Sequence, residues 1–110
     1  MQNKDIITLD WIRPLICIND RIKVSFQASA LHYCSPKITG LNIAEYDSIE
    51  VGLFMDDQFV KPSDISEEIA DYDQYFDYGV AMYLDNEIAH QFIYDLRDAL
   101  TDLDDYLPRF

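Results

Sequence analysis

The chain has 110 residues, 49% of them apolar, and its 21 Asp and Glu outnumber 8 Lys and Arg for a net charge of −13 at pH 7. That length suits one compact domain, and the branched aliphatics and aromatics exclude a disordered acidic tail. The charge excludes the ordinary route to nucleic-acid affinity, in which Lys and Arg neutralise phosphates. No apolar run approaches the roughly eighteen residues of a membrane helix and none is uninterrupted in residues 1–20, so a soluble protein without a signal peptide is expected.

In chain order, Ile6, Ile7 and Leu9 suggest a short N-terminal strand, with Trp11 near the sheet edge. Pro14 to Ile18, then Asn19-Asp20, then Arg21 to Ala28 read as a β-hairpin. Ile22, Val24, Phe26 and Ala28 alternate with Arg21, Lys23, Ser25 and Gln27, the period of a strand with one wet face, and Asn-Asp suits a tight turn. Cys17 and Cys34, set in apolar sequence outside any CxxC, read as buried reduced thiols. After a loop holding Gly40, Ile49, Val51 and Leu53 alternate in a third strand over 48–54, and residues 55–61 read as a turn. Pro62-Ser63-Asp64 with Glu67 and Glu68 reads as the start of a short helix with acids in its first turn. Residues 71–78 show no period, and Gly79 to Leu84 alternate as a fourth strand. Asp85 or Asn86 then caps a helix that reaches Leu100 and extends toward Tyr106 before Pro108 stops it. Its Ala89, Phe92, Ile93, Leu96, Leu100 and Leu103 form one apolar stripe for the sheet. The fold class expected is α+β, a small antiparallel sheet of about three to five strands packed against a C-terminal amphipathic helix, in a single acidic domain over residues 1–110.

The charge is concentrated. Fifteen of the acids lie from Met55 onward, against Lys61, Arg97 and Arg109. At about 100° per residue, Asp95, Asp98, Asp102 and Asp105 fall within about 80° of one another, roughly opposite the apolar stripe. Like charges so spaced destabilise a helix by roughly 0.2–0.5 kcal/mol per pair, and acids near a C-terminus also oppose the helix dipole. A partner that supplies cations removes that cost. A second cluster sets Asp71, Asp73 and Asp77 among Tyr72, Tyr75, Phe76 and Tyr78. Tyrosine adds contact area at low entropic cost and stacks on guanidinium, so the mixture suits a surface that meets Arg and Lys. The bland alternatives are a solvated helix face and core roles for two or three of the aromatics.

Chemical motifs fail on their ligands. Asp71-x-Asp73-x-Tyr75 opens like a calcium loop, but Tyr75, Phe76 and Met82 stand where that loop needs an oxygen ligand, a glycine and a glutamate. His32 beside Tyr33-Cys34 lacks further ligands for zinc, and a nucleophile and base so near in sequence rarely face each other. The chain reads as non-enzymatic, with no catalytic residue, metal or cofactor, and with at most a small basic spot at Arg21 and Lys23.

The run from Ile22 to Pro36, IKVSFQASALHYCSP, followed by YDSIEVG from Tyr46 to Gly52, resembles a block of small phage and prophage proteins. The resemblance implies a mobile-element setting and the cytoplasm of a bacterial host. Small acidic proteins of that setting include anti-CRISPR inhibitors that imitate DNA in the Lys/Arg-lined channel of an RNA-guided effector. The function expected is an anti-CRISPR-type DNA mimic whose partner-binding residues are Asp71, Asp73, Asp77, Asp95, Asp98, Asp102 and Asp105. Its partner is a basic nucleic-acid-binding protein, a CRISPR effector subunit or a nuclease, rather than nucleic acid itself or a membrane. The alternatives are an immunity protein that neutralises a basic nuclease toxin and a phage structural or assembly protein.

Overall fold

The computed structural model describes residues 12–106, with side chains to Thr101. The strand expected over Ile6, Ile7 and Leu9, and the place of Trp11, lie outside the described residues, as do the side chains of Asp102, Leu103 and Asp105. Five strands form one antiparallel sheet: β1 (Ile16–Cys17), β2 (Ile22–Gln27), β3 (Ser48–Met55), β4 (Gln58–Phe59) and β5 (Val80–Asp85). β3 is the central strand. β2 runs along one side of it, from Ile22↔Met55 to Gln27↔Glu50, while β4 and β5 share the other side. A short helix, α1 (Pro62–Ile65), and a 3₁₀ segment (Glu67–Tyr75) lead from β4 to β5, and α2 (Asn86–Tyr106) follows. The architecture is α+β.

Alternation puts Ile22, Val24 and Phe26 of β2 and Ile49, Val51 and Leu53 of β3 in the core. Across them α2, packed on β3 and β5, buries Ala89, Phe92, Leu96 and Ala99 at helical spacing, with Ile93 and Leu100 half-buried beside that seam. Full burial of side chains the size of Phe92 and Leu96 stabilises by about 1.5–3 kcal/mol each. Asp85 starts the helix: its Oδ1 accepts the N–H groups of Glu87 at 2.9 Å and Ile88 at 3.3 Å.

Several local features differ from the sequence reading. β1 is two residues long, because Asn19 Oδ1 accepts the N–H groups of Arg21 and Ile22 and replaces ladder bonds with a side-chain turn. Gln27 is buried rather than wet, its amide exchanging hydrogen bonds with the Arg13 N–H at 2.8 Å and carbonyl at 2.7 Å. Cys17 is exposed at the sheet's short outer strand, whereas Cys34 is buried with its thiol donating to the Ser29 carbonyl at 3.1 Å. Residues 55–61 include β4, since Asp56 and Asp57 adopt φ of 53° and 66° and close a tight hairpin whose twist suits the strands. Glu67 and Glu68 belong to the 3₁₀ segment, where the Ser66 hydroxyl oxygen accepts the Glu68 N–H at 3.2 Å. In β5 the alternation breaks: Met82 and Tyr83 together face Glu50, between the pairs Ile49↔Leu84 and Val51↔Ala81. This bulge leaves both side chains exposed.

Tyr78 and Gly79 form the turn into β5 with φ of 52° and 84°, closed by hydrogen bonds between Asp77 and Val80. A Cβ at Gly79 would lie 2.6 Å from Phe59 Cβ and 3.0 Å from the Val60 backbone nitrogen, whereas one at Gly40, with φ 104°, meets nothing within 4 Å. Gly40→Ala is expected to cost about 1–2 kcal/mol from left-handed strain alone. Gly79→Ala should cost about 1–3 kcal/mol more for the added overlap. Urea unfolding of both variants reads the difference, and equal losses would mean that Phe59 and Val60 yield freely.

Candidate partner-binding site

The stretch 71–78 lacks a period because contacts across the fold, rather than local pattern, shape it. Tyr72 and Phe76 set their rings against Phe92 of α2, with centroids 4.9 Å and 5.3 Å away, and Ile69 is buried at a kink with φ −113° and ψ 17°. Tyr75 and Tyr78 remain exposed. Two of the cluster's aromatics thus anchor it and two face solvent.

Between the 3₁₀ segment and α2 lies a groove of ≈ 360 Å³ lined by Glu68, Asp71, Tyr72, Tyr75, Gln91 and Asp95, with Gln74 and Ile88. Asp95 is half-buried there. Its Oδ2 accepts the Tyr72 hydroxyl at 2.5 Å and its Oδ1 accepts Gln91 Nε2 at 2.9 Å. Burial, and then the Asp95 carboxylate, hold the Tyr72 phenol well above the usual phenol range. Tyr72 is therefore a neutral donor that fixes a carboxylate in the groove wall.

The acids named from the sequence separate by role. Asp71, exposed on the rim, and Asp95 come together in the groove, and Asp98 is exposed farther along α2. Asp73 faces the fold: its carboxylate accepts the Ser63 N–H in α1 at 2.9 Å. Burial pushes the Asp73 pKa up, but the Ser63 bonds and nearby Lys61 outweigh that and leave it below the usual range. Asp77 is exposed at the Tyr78-Gly79 turn and does not line the groove. Asp102 and Asp105 lie on the α2 backbone. Glu68 and Gln91 are not among the partner-binding residues read from the sequence. Gln91 stands four residues before Asp95, a helical pairing that a search for polar partners finds; Glu68 reaches the groove only through the fold of its segment.

Three of the chain's cations, Arg13, Arg21 and Lys23, are engaged elsewhere. Among the described residues the ion pairs are Arg21–Asp56 at 2.6 Å and Lys23–Asp57 at 3.4 Å, so the basic spot read at Arg21 and Lys23 is matched by acids. Arg13 gives its guanidinium to the carbonyls of Ala28 and Leu41 at 2.7 Å and 2.9 Å. A larger cleft, ≈ 550 Å³, opens at the start of α2 between Tyr46, Asp47, Asp85, Glu87 and His90. Asn86 within it serves the fold, donating from Nδ2 to the Ile43 and Tyr46 carbonyls. Ser29 Oγ and His32 Nδ1 lie 2.7 Å apart beside the buried Cys34, an arrangement that ties the loop after β2. Among the described residues no group of three or more His, Cys, Asp or Glu could hold a metal ion, and no helix is long and apolar enough to cross a membrane.

A raised phenol pKa means that the folded state holds the Tyr72 proton more tightly than the unfolded state does. The stability this contributes is fully present below about pH 10 and is lost as pH rises through the higher folded value. Tyr72→Phe keeps the ring on Phe92 and is expected to lose about 1 kcal/mol at neutral pH. It should also show a shallower fall in unfolding free energy above about pH 10 than wild type. Denaturant unfolding at neutral and alkaline pH checks both, and an alkaline limb identical to wild type would refute the role given to the Tyr72–Asp95 bond.

The chain matches no family model, no curated protein and no solved structure, and the groove is read from its own chemistry.

Proposed function

We propose that the protein is a non-enzymatic inhibitor of the anti-CRISPR type, a DNA mimic that seats its acidic surface in the basic nucleic-acid site of an RNA-guided effector. The observation that carries this reading is the groove, where Glu68, Asp71 and Asp95 converge beside Tyr72 and Tyr75. Carboxylates gathered in this way set up a negative field, which draws Lys and Arg and speeds encounter. Because Asp95 is already held by Tyr72 and Gln91, less side-chain freedom is lost when a partner binds there. Asp98 carries the charge on along α2 toward Asp102 and Asp105.

Duplex DNA carries one charge per about 1.7 Å of axis, while successive turns of a helix lie about 5.4 Å apart. Carboxylates on α2 are too sparse to trace phosphates and instead meet a partner's cations singly. The block that resembles small phage and prophage proteins supports the setting rather than the site. Its Ile22, Val24, Phe26, Cys34, Tyr46, Ile49 and Val51 are core residues, whereas the groove is built from residues 68–95.

Asp73 supports α1, so the charge test uses Asp71 and Asp98. In DNA-cleavage assays against a panel of purified RNA-guided effectors, wild type is expected to inhibit one of them, with inhibition weakening steeply as salt rises. Asp71→Lys combined with Asp98→Lys should abolish inhibition while circular dichroism and the unfolding midpoint stay at wild-type values. A double variant that inhibits like wild type sinks the acidic-surface mechanism. Neutralisation of a basic nuclease toxin, with every effector unaffected, assigns the surface to an immunity protein instead.

A further inference from the structure

β5 carries a surface feature that the groove does not use. Its bulge turns Tyr83 outward with φ 53°, a costly conformation for an aromatic residue. The Tyr83 N–H is not lost to pairing: it donates to the Tyr33 carbonyl at 3.0 Å. That bond joins two rings whose centroids stand 5.9 Å apart at 63°, each 50% exposed. Lys37 Nζ lies 5.3 Å from the Tyr33 centroid and 5.8 Å from that of Tyr83, and donates to the His32 carbonyl at 3.0 Å. Glu50 Oε1 accepts the Tyr33 N–H at 3.1 Å, which brings a carboxylate beside the pair.

Two tyrosine faces with one ammonium over both make an open cation site, loaded by the chain's own lysine. We propose that Tyr33 and Tyr83 form a second contact with the protein partner, an aromatic cage that takes an arginine side chain in exchange for Lys37. A guanidinium is planar and more weakly hydrated than an ammonium, so it stacks on tyrosine better than the group it displaces. The net charge of −13 selects a basic occupant for a site so exposed. The inference rests on the reading of a basic protein partner but involves none of the groove residues.

The test is an NMR titration of the tyrosine ring signals with an arginine-rich peptide, and with the same peptide carrying uncharged, isosteric citrulline. The arginine peptide should shift Tyr33 and Tyr83, and the citrulline peptide should not. Lys37→Ala should lower the peptide concentration at half-shift about two- to fivefold at these rings and leave that of Tyr72 and Tyr75 unmoved. Tyr83→Gly, which relieves the left-handed backbone while removing the ring, should abolish the Tyr33 shift, and Tyr33→Phe should preserve that of Tyr83. An equal response to citrulline overturns the cage. So does movement of Tyr72 and Tyr75 with Tyr33 and Tyr83 still, which leaves the groove standing; silence at all of these rings overturns both readings.

Discussion

Phe92 turns an acidic stretch into part of a structure. Its ring is wholly buried in α2 and receives Tyr72 and Phe76 from a segment that also carries Asp71, Asp73 and Asp77. Mutual repulsion and hydration draw those carboxylates toward water, while two aromatic contacts, each worth about 0.5–1.5 kcal/mol beyond simple burial, hold the segment to the helix. The groove exists because the second effect wins. Without it Asp71 and Asp95 would sit on unrelated elements, and the Tyr72 hydroxyl would have no carboxylate within reach.

With that anchor set, the charge distribution depends on which acids the fold uses. Asp56 and Asp57 turn the β3–β4 hairpin and match Arg21 and Lys23, Asp73 holds α1 through Ser63, and Asp85 caps α2. These are ordinary tasks for aspartate, at turns, ion pairs and helix starts. They also take up Arg21 and Lys23, while Arg13 is held by main-chain carbonyls. Of what is left over, Asp71 lies exposed at the groove between α2 and the 3₁₀ segment, and Asp98 is exposed farther along α2.

The same division explains what could be read from sequence. The pairing of β2 with β3 and the seam of α2 follow from local periods, because each apolar residue there faces the core its period indicates. Gln27 broke the pattern since its amide found the Arg13 backbone fourteen residues away, a contact with no local signature. β4 was missed because paired aspartates in a left-handed turn look like loop until the strands flank them. For the site, Asp71 and Asp95 were each legible as surplus charge, but their meeting depends on Tyr72 reaching Phe92 across twenty residues of chain. Asp73 has the same chemistry in sequence and the opposite role, which only the Ser63 N–H decides.

Local rules and tertiary demands agree through β2 and β3 except at Gln27, and they part company more sharply later in the chain. A 3₁₀ segment kinks at Ile69, Tyr83 sits in a left-handed bulge of β5, and carboxylates gather on the groove. The kink serves the core by burying Ile69, whereas the exposed Tyr83 and the gathered carboxylates do not. Consistency across levels is what folding alone favours, and departures from it are where functional constraints are expected. Two of the three departures present tyrosines beside carboxylates, the combination that receives a guanidinium. The proposed basic partner would account for both, whereas solubility alone would call for the charge and leave the strained, exposed aromatic unexplained.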